Sequence, residues 1–196
     1  MMTELEIFNL ALGQLGIARL SALTDSTDKR VQAYQTFYSH ALSFVMSELQ
    51  MNFTIKIDPL SLLSNQTITG YTYAYSLPGD CIMIQSIMDS EGTVETGWEL
   101  RRIGSIADTV VATNLEDAFI EYVQSVSETS VYTPQFIETL KYKLAMDMAI
   151  FLTDDSNKLI ANSKLFESAR IGAIGNDASQ YSYVMPVTST YTDSRG

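Results

Sequence analysis

The chain has 196 residues, 46% of them apolar, enough for one domain, or one domain with an inserted subdomain, around a real core. Its 12 Lys and Arg against 23 Asp and Glu leave a net charge of −11, which argues against a clamp on nucleic acid, because affinity for phosphates rests on basic side chains displacing counterions. One Cys and one His exclude an intramolecular disulfide and leave no ligand set for a structural zinc site.

The first residues carry Glu4 and Glu6 where a secretory signal needs positive charge, so no secretion signal is expected. A helix is predicted over residues 4–15, with Thr3 and Glu6 at capping-box spacing, Gly16 placed to end it, and Leu5, Phe8, Leu12 and Leu15 as its apolar stripe. A second helix is predicted to begin near Asp28, capped by Ser26 or Thr27. In it Val31, Tyr34, Tyr38, Ala41, Val45 and Leu49 recur every three or four residues, with Phe37, Phe44 and Met51 as a second stripe beside them.

From Phe53 the period changes to alternation. Strands are predicted over residues 53–57, 71–77, 81–88, 98–103, 109–113 and 119–126, with turns at Pro78-Gly79-Asp80 and around Glu91-Gly92. Their spacing suggests a meander forming a small antiparallel sheet or barrel, and residues 60–70 read as an exposed loop. Helical spacing returns at Thr133-Pro134, a cap followed by a first-turn proline, and Phe136, Ile137, Leu140, Leu144, Met148, Phe151 and Leu152 mark a helix apolar enough to be central. A fourth helix is predicted over residues 156–179, loosened at its end by Gly172 and Gly175, and a Ser/Thr-rich tail follows. The longest apolar stretch, residues 144–152, is broken by Asp147 and falls short of the roughly 20 residues a membrane span needs, so a soluble protein is expected.

These elements predict an α+β fold: an antiparallel bundle of about four helices (residues 1–52 and 134–180) with a small acidic antiparallel β subdomain (residues 53–133) inserted between helices two and three, and an extended tail over residues 181–196. Acids and bases number 5 and 3 in the first segment, 11 and 3 in the strand region, and 7 and 6 from residue 134 onward. The strand region alone thus carries −8 of the −11.

Equipment for chemistry is sparse. His40 lies mid-helix beside an apolar stripe and reads as structural, and Cys81 as a small buried hydrophobe. Asp154-Asp155 suits the amino-terminal dipole of the following helix better than half of a two-carboxylate or metal site. Gly13-x-x-Gly16 and Gly172-x-x-Gly175 lack both a following Lys and a preceding strand, so helix ends explain them better than a phosphate loop. The sequons at Asn52 and Asn65 read as chance. Arg101-Arg102, the one basic pair in the acidic middle, reads as a candidate intersubunit ion pair. Tyr181, Tyr183, Met185 and Tyr191 make the tail a candidate interface, since a large ring with a polar tip suits protein contacts. No catalytic residue, metal ligand or cofactor site is assigned.

The stretch Asn9-Leu-Ala-Leu-Gly-Gln-Leu-Gly16, followed by Ser21-Ala-Leu-Thr-Asp25 and a long helix, resembles the opening of the tail tubular protein A family, the head-to-tail adaptors of T7-like short-tailed phages. Three further segments agree in the same order: Tyr73-Ala-Tyr-Ser-Leu-Pro-Gly-Asp-Cys81, Phe119-Ile-Glu-Tyr-Val123, and Thr133-Pro-Gln-Phe136 running into Leu144-Ala-Met-Asp-Met-Ala-Ile-Phe-Leu-Thr153. The resemblance covers residues 5–180. It departs where such proteins usually carry Trp near the end of the second helix, a place filled here by Phe53.

The resemblance implies a structural virion protein and not an enzyme: a ring of twelve copies beneath the portal protein, continuing its channel and offering a docking surface to the tail nozzle protein. It implies assembly in the host cytoplasm, location in the phage tail, no cofactor and no membrane partner. It also implies a free protein that stays monomeric until it meets the portal. Within a ring, some of Asp89, Glu91, Glu95, Asp108, Glu116 and Asp117 are candidates for the channel or its rim, where acids would let DNA pass without specific binding; the alternative is a solvated outer face. The alternatives are a head-completion connector of another tail type, a class usually smaller and without an inserted β region, and a carboxylate-based cell-wall hydrolase, which needs two acids converging in a cleft.

Overall fold

A computed structural model describes residues 2–64, 68–103 and 109–178, with side chains up to residue 175. Among them the protein is a mixed α+β fold of four helices and two antiparallel sheets. None of these helices is long and apolar enough to cross a membrane.

Helix α1 (Glu4–Gln14) starts on the expected capping box: the Thr3 amide donates to Glu6 Oε2 at 2.7 Å and the Glu6 amide to Thr3 Oγ1 at 3.3 Å. It ends in a Schellman turn, with Gly16 at φ +69°, its amide on Gly13 O and the Ile17 amide on Leu12 O, both at 3.0 Å. Helix α2 (Lys29–Leu49) is capped by Asp28, whose carboxylate accepts from the Arg30 amide at 2.8 Å. This corrects the expected Ser26 or Thr27 cap. Thr27 instead binds Asp25 through both its amide and its hydroxyl, and Asp28 wins because the Arg30 guanidinium holds the same carboxylate.

The segment between these helices is pinned from three sides. Asn9 pairs with the Leu20 backbone in both directions, at 3.0 and 2.7 Å. The Arg30 guanidinium donates to Ala18 O at 2.9 Å and Arg19 O at 3.2 Å. Lys158 reaches from the last helix to Leu15 O at 2.6 Å, placing a cation where the α1 dipole is negative.

Helix α3 (Pro134–Thr153) has the expected Thr133 cap and first-turn proline, and Phe136, Leu140, Leu144 and Met148 are fully buried. Helix α4 (Ser156–Ala178) follows after Asp154, which takes a left-handed φ of +51°, and Asp155, which accepts from the Asn157 amide at 2.9 Å. The aspartate pair is thus spent on a helix junction. The helix runs through both Gly172 and Gly175 instead of fraying at them. All four helices contribute to one hydrophobic cluster, in which α3 packs against each of the other three.

The strands are β1 (Ile55–Pro59), β2 (Ser61–Leu62), β3 (Tyr73–Ser76), β4 (Cys81–Met88), β5 (Val94–Glu95), β6 (Glu99–Arg102), β7 (Thr109–Thr113) and β8 (Phe119–Gln124). They do not form the expected meander. They pair as two four-stranded sheets, in the orders β1-β8-β4-β5 and β2-β3-β7-β6. Part of the expected loop after residue 60 is strand β2, paired to β3, and Phe53 lies in a short 3₁₀ turn before β1.

The two sheets share a second cluster, in which Tyr75 and Val111 of one sheet meet Ile87, Ile120 and Tyr122 of the other. Strand β8 serves both cores. Ile120 and Tyr122 point between the sheets, whereas Val123 enters the helical cluster with Ile55, Ile82 and Met83 beside it. That alternation is the two-residue period of a strand buried on both faces. Phe53, Tyr132 and Phe136 complete the junction, with ring centroids 4.8 to 5.7 Å apart.

Candidate interaction surface

The register of β4 against β8 sets where the acids go. Ile82 and Met83, near the start of β4, touch the helical cluster, and Met88 at its end pairs with Phe119 at the start of β8. Asp89 and Glu91 follow Met88, and Glu116 and Asp117 precede Phe119. These four acids therefore share the end of the sandwich about 20 Å from the helical contact, at roughly 3.3 Å per strand residue. Glu95 returns toward the helices on β5, opposite Ile87.

The acids are not equivalent. Asp89 builds its own turn: Oδ1 accepts from the Glu91 amide at 2.9 Å and the Thr93 amide at 2.8 Å, with Gly92 at φ +83°. The bonds from the Thr93 and Glu91 amides hold its carboxyl below the usual range. Glu95 accepts from the Gly97 amide at 2.6 Å. Glu91, Glu116 and Asp117 are exposed, and no hydrogen bond to their carboxylates is found among the described residues. Asp108 lies outside the described residues, as do Tyr181, Tyr183, Met185 and Tyr191. Arg101 and Arg102 occupy edge strand β6, both exposed, and Arg101 pairs with Glu99 of its own strand.

At the other end of β8, two carboxylates converge, a pairing that the sequence reading missed because the acids lie 22 residues apart, at positions 58 and 80. The Tyr122 hydroxyl lies 3.2 Å from Asp58 Oδ2 and 3.1 Å from Asp80 Oδ1, and its single proton can serve one of them at a time. Lys56 binds Asp58 at 2.7 Å and holds that carboxyl below its ordinary range. Burial, then the Asp80 bond, push the Tyr122 phenol up to about 12. A groove of about 430 Å³ lined by Asp58, Ser61, Ser76 and Pro78 lies alongside.

The chain matches no family model and no curated protein.

Its helical side offers apolar surface. A groove of about 530 Å³ between α2, α3 and α4 is lined by Phe44, Met146 and Phe166, with Lys143 over the Phe44 ring and held by Asp147 at 2.6 Å. Ile160, Leu165, Ile171 and Ile174 of α4 are exposed. The apolar residues of this helix divide between an inward side, with Leu159, Phe166 and Ala173, and this outward one. His40 is exposed on α2, and Cys81 is half-buried against the sandwich core, where burial pushes its thiol up. Among the described residues, no group of three or more His, Cys, Asp or Glu side chains is placed to hold a metal ion.

Proposed function

We propose that this chain is the subunit of a head-to-tail adaptor ring in a short-tailed phage, binding the portal protein on one side and the tail nozzle protein on the other. The observation that carries the reading is the segregation of charge. Exposed Glu91, Glu116 and Asp117 stand at one end of the sandwich, and the apolar surfaces of α3 and α4 lie on the helical side. In this reading residues 1–52 and 134–180 form an antiparallel helical platform that packs around a ring, and residues 53–133 form a β subdomain whose acidic end faces the channel or its rim. The tail from Tyr181 docks on the portal or on an adjacent subunit.

The motifs behind the resemblance have structural work to do here, which supports it. Asn9 and Gly16 shape the α1–α2 connection, Tyr75 and Asp80 anchor strand ends, Tyr122 and Val123 face the two cores, and Thr133 caps α3. Particles made without the protein should carry portal but no nozzle, and adding the purified chain should restore nozzle attachment. Particles that acquire nozzles without it would overturn the reading.

A cell-wall hydrolase has one observation in its favour, the approach of Asp58 and Asp80 beside a groove. Such chemistry needs one ionised carboxylate and one carboxyl that keeps its proton near neutral pH, and Lys56 fits Asp58 only for the first. Release of soluble fragments from purified peptidoglycan, lost in Asp80→Asn, would establish that reading in place of the adaptor.

A further inference from the structure

Residues 160, 164, 167, 171 and 174 of α4 recur at alternating spacings of four and three, the seam of a helix that packs against another helix. This seam faces away from the protein's own core, into which Leu159, Phe166 and Ala173 point. Its apolar members are strongly exposed, Ile160 at 50%, Ile171 at 66% and Ile174 at 42%. Between them stand Lys164 and Glu167, both exposed and of opposite sign. Both bonds from Arg170 to Glu167 end on Oε2, leaving Oε1 open, and Lys164 has no ion pair among the described residues. The small residues Ala161, Ser168 and Gly175 run at heptad spacing along one margin of the seam, all exposed. A Cβ at Gly175 would meet no atom of the described residues within 4 Å, so a second helix can approach closely there.

Turned end for end about a point between residues 165 and 166, the four positions 160, 164, 167 and 171 map onto one another. Position 160 falls on 171 and position 164 on 167, so Ile160 meets Ile171 and each charge meets its opposite, while Ile174 falls opposite Asn157. We propose that α4 pairs antiparallel with α4 of a second copy of this chain, setting Ile160 against the partner's Ile171 and Lys164 against the partner's Glu167. The charge order favours this orientation over a parallel one, which would oppose Lys164 to Lys164. The contact is isologous and closes at two copies, so it does not propagate around a ring. It belongs to the free protein, departs from the monomer that the resemblance implies, and does not rest on the adaptor reading. One helix face is less than a stable dimer needs, and the net charge of −11 on each copy opposes association, so the pair is weak, with a Kd on the order of 10–100 μM.

Sedimentation equilibrium of the full chain from about 1 to 200 μM, spanning that Kd, tests it. The wild type should pass from monomer to dimer. Ile171→Asp, an exposed substitution whose fold is checked by circular dichroism, should remain monomeric. Lys164→Glu and Glu167→Lys should each weaken the dimer about tenfold, because each sets like charges together at both pairs. An equimolar mixture of those two variants should dimerise again, since the mixed pair has opposite charges at both places. In a Cys81→Ser background, Ile160→Cys mixed with Ile171→Cys should oxidise to a mixed dimer. A wild type monomeric at every concentration, a mixture no stronger than its components, or crosslinking of Ile160→Cys to itself would each overturn the proposal.

Discussion

Asn9 shows how much one side chain can decide in this protein. Its amide closes a reciprocal pair with Leu20 that no other contact duplicates among the described residues, so Asn9→Ala should lower unfolding free energy by about 1–3 kcal/mol, the cost of leaving that backbone unpaired, measured by urea denaturation. Tyr38 is the opposite case. Its hydroxyl is buried without a hydrogen-bond partner among the described residues, so Tyr38→Phe should leave stability within about 1 kcal/mol of wild type or raise it, and a large loss would reveal a partner. The pH dependence follows from Glu6, Asp25, Asp28, Asp58 and Asp89, all held below their ordinary values by hydrogen bonds to their charged forms. Each is more acidic folded than unfolded, so the stabilisation is complete above the ordinary values of 3.8 and 4.5 and is lost as pH falls through the lowered ones. Melting temperature should therefore hold down to about pH 5 and drop below pH 4, where the unfolded carboxyls take up protons first.

At the scale of elements, what could be read in advance was what is local. The capping box at Thr3 and Glu6, the turn at Gly16 and the cap at Thr133 all act within about four residues, so the sequence displays both partners together. The α2 cap did not show itself, because the choice among Ser26, Thr27 and Asp28 depends on Arg30, whose guanidinium also binds carbonyls 11 and 12 residues away. Strand existence was likewise visible for six of the eight strands, but their pairing was not. Placing β8 between β1 and β4 depends on Ile120 and Tyr122 finding one core and Val123 another, a choice made only in three dimensions. The acidic end was half legible: the composition displayed the charge, and only the Met88–Phe119 register brought its two turns together. Because β8 belongs to both cores, Ile120→Ala should cost about 2–5 kcal/mol and lower the melting of helices and strands together, followed by far-ultraviolet and near-ultraviolet dichroism. Two separated transitions would show that the cores fold independently.

For the whole molecule, the proposed adaptor role gives the protein contacts to the helical side and the passage of DNA to the acidic end. Exposed acids act on phosphates only within a Debye length, about 8 Å at physiological salt, so their effect must fade as salt rises. Neutralising Glu91, Glu116 and Asp117 together should increase DNA retention in assembled particles at low ionic strength and leave it unchanged near 1 M salt, where screening reaches about 3 Å. Asp89 is left out of that set because its carboxylate builds the turn. The proposed adaptor role is tested most directly by the mass of complexes formed with the portal protein encoded alongside this chain, measured by light scattering at micromolar concentration. The expected result is a single defined species in which every portal ring carries a full ring of this chain, while the chain alone forms nothing larger than the proposed dimer. A chain whose mass is unchanged by the portal would contradict it.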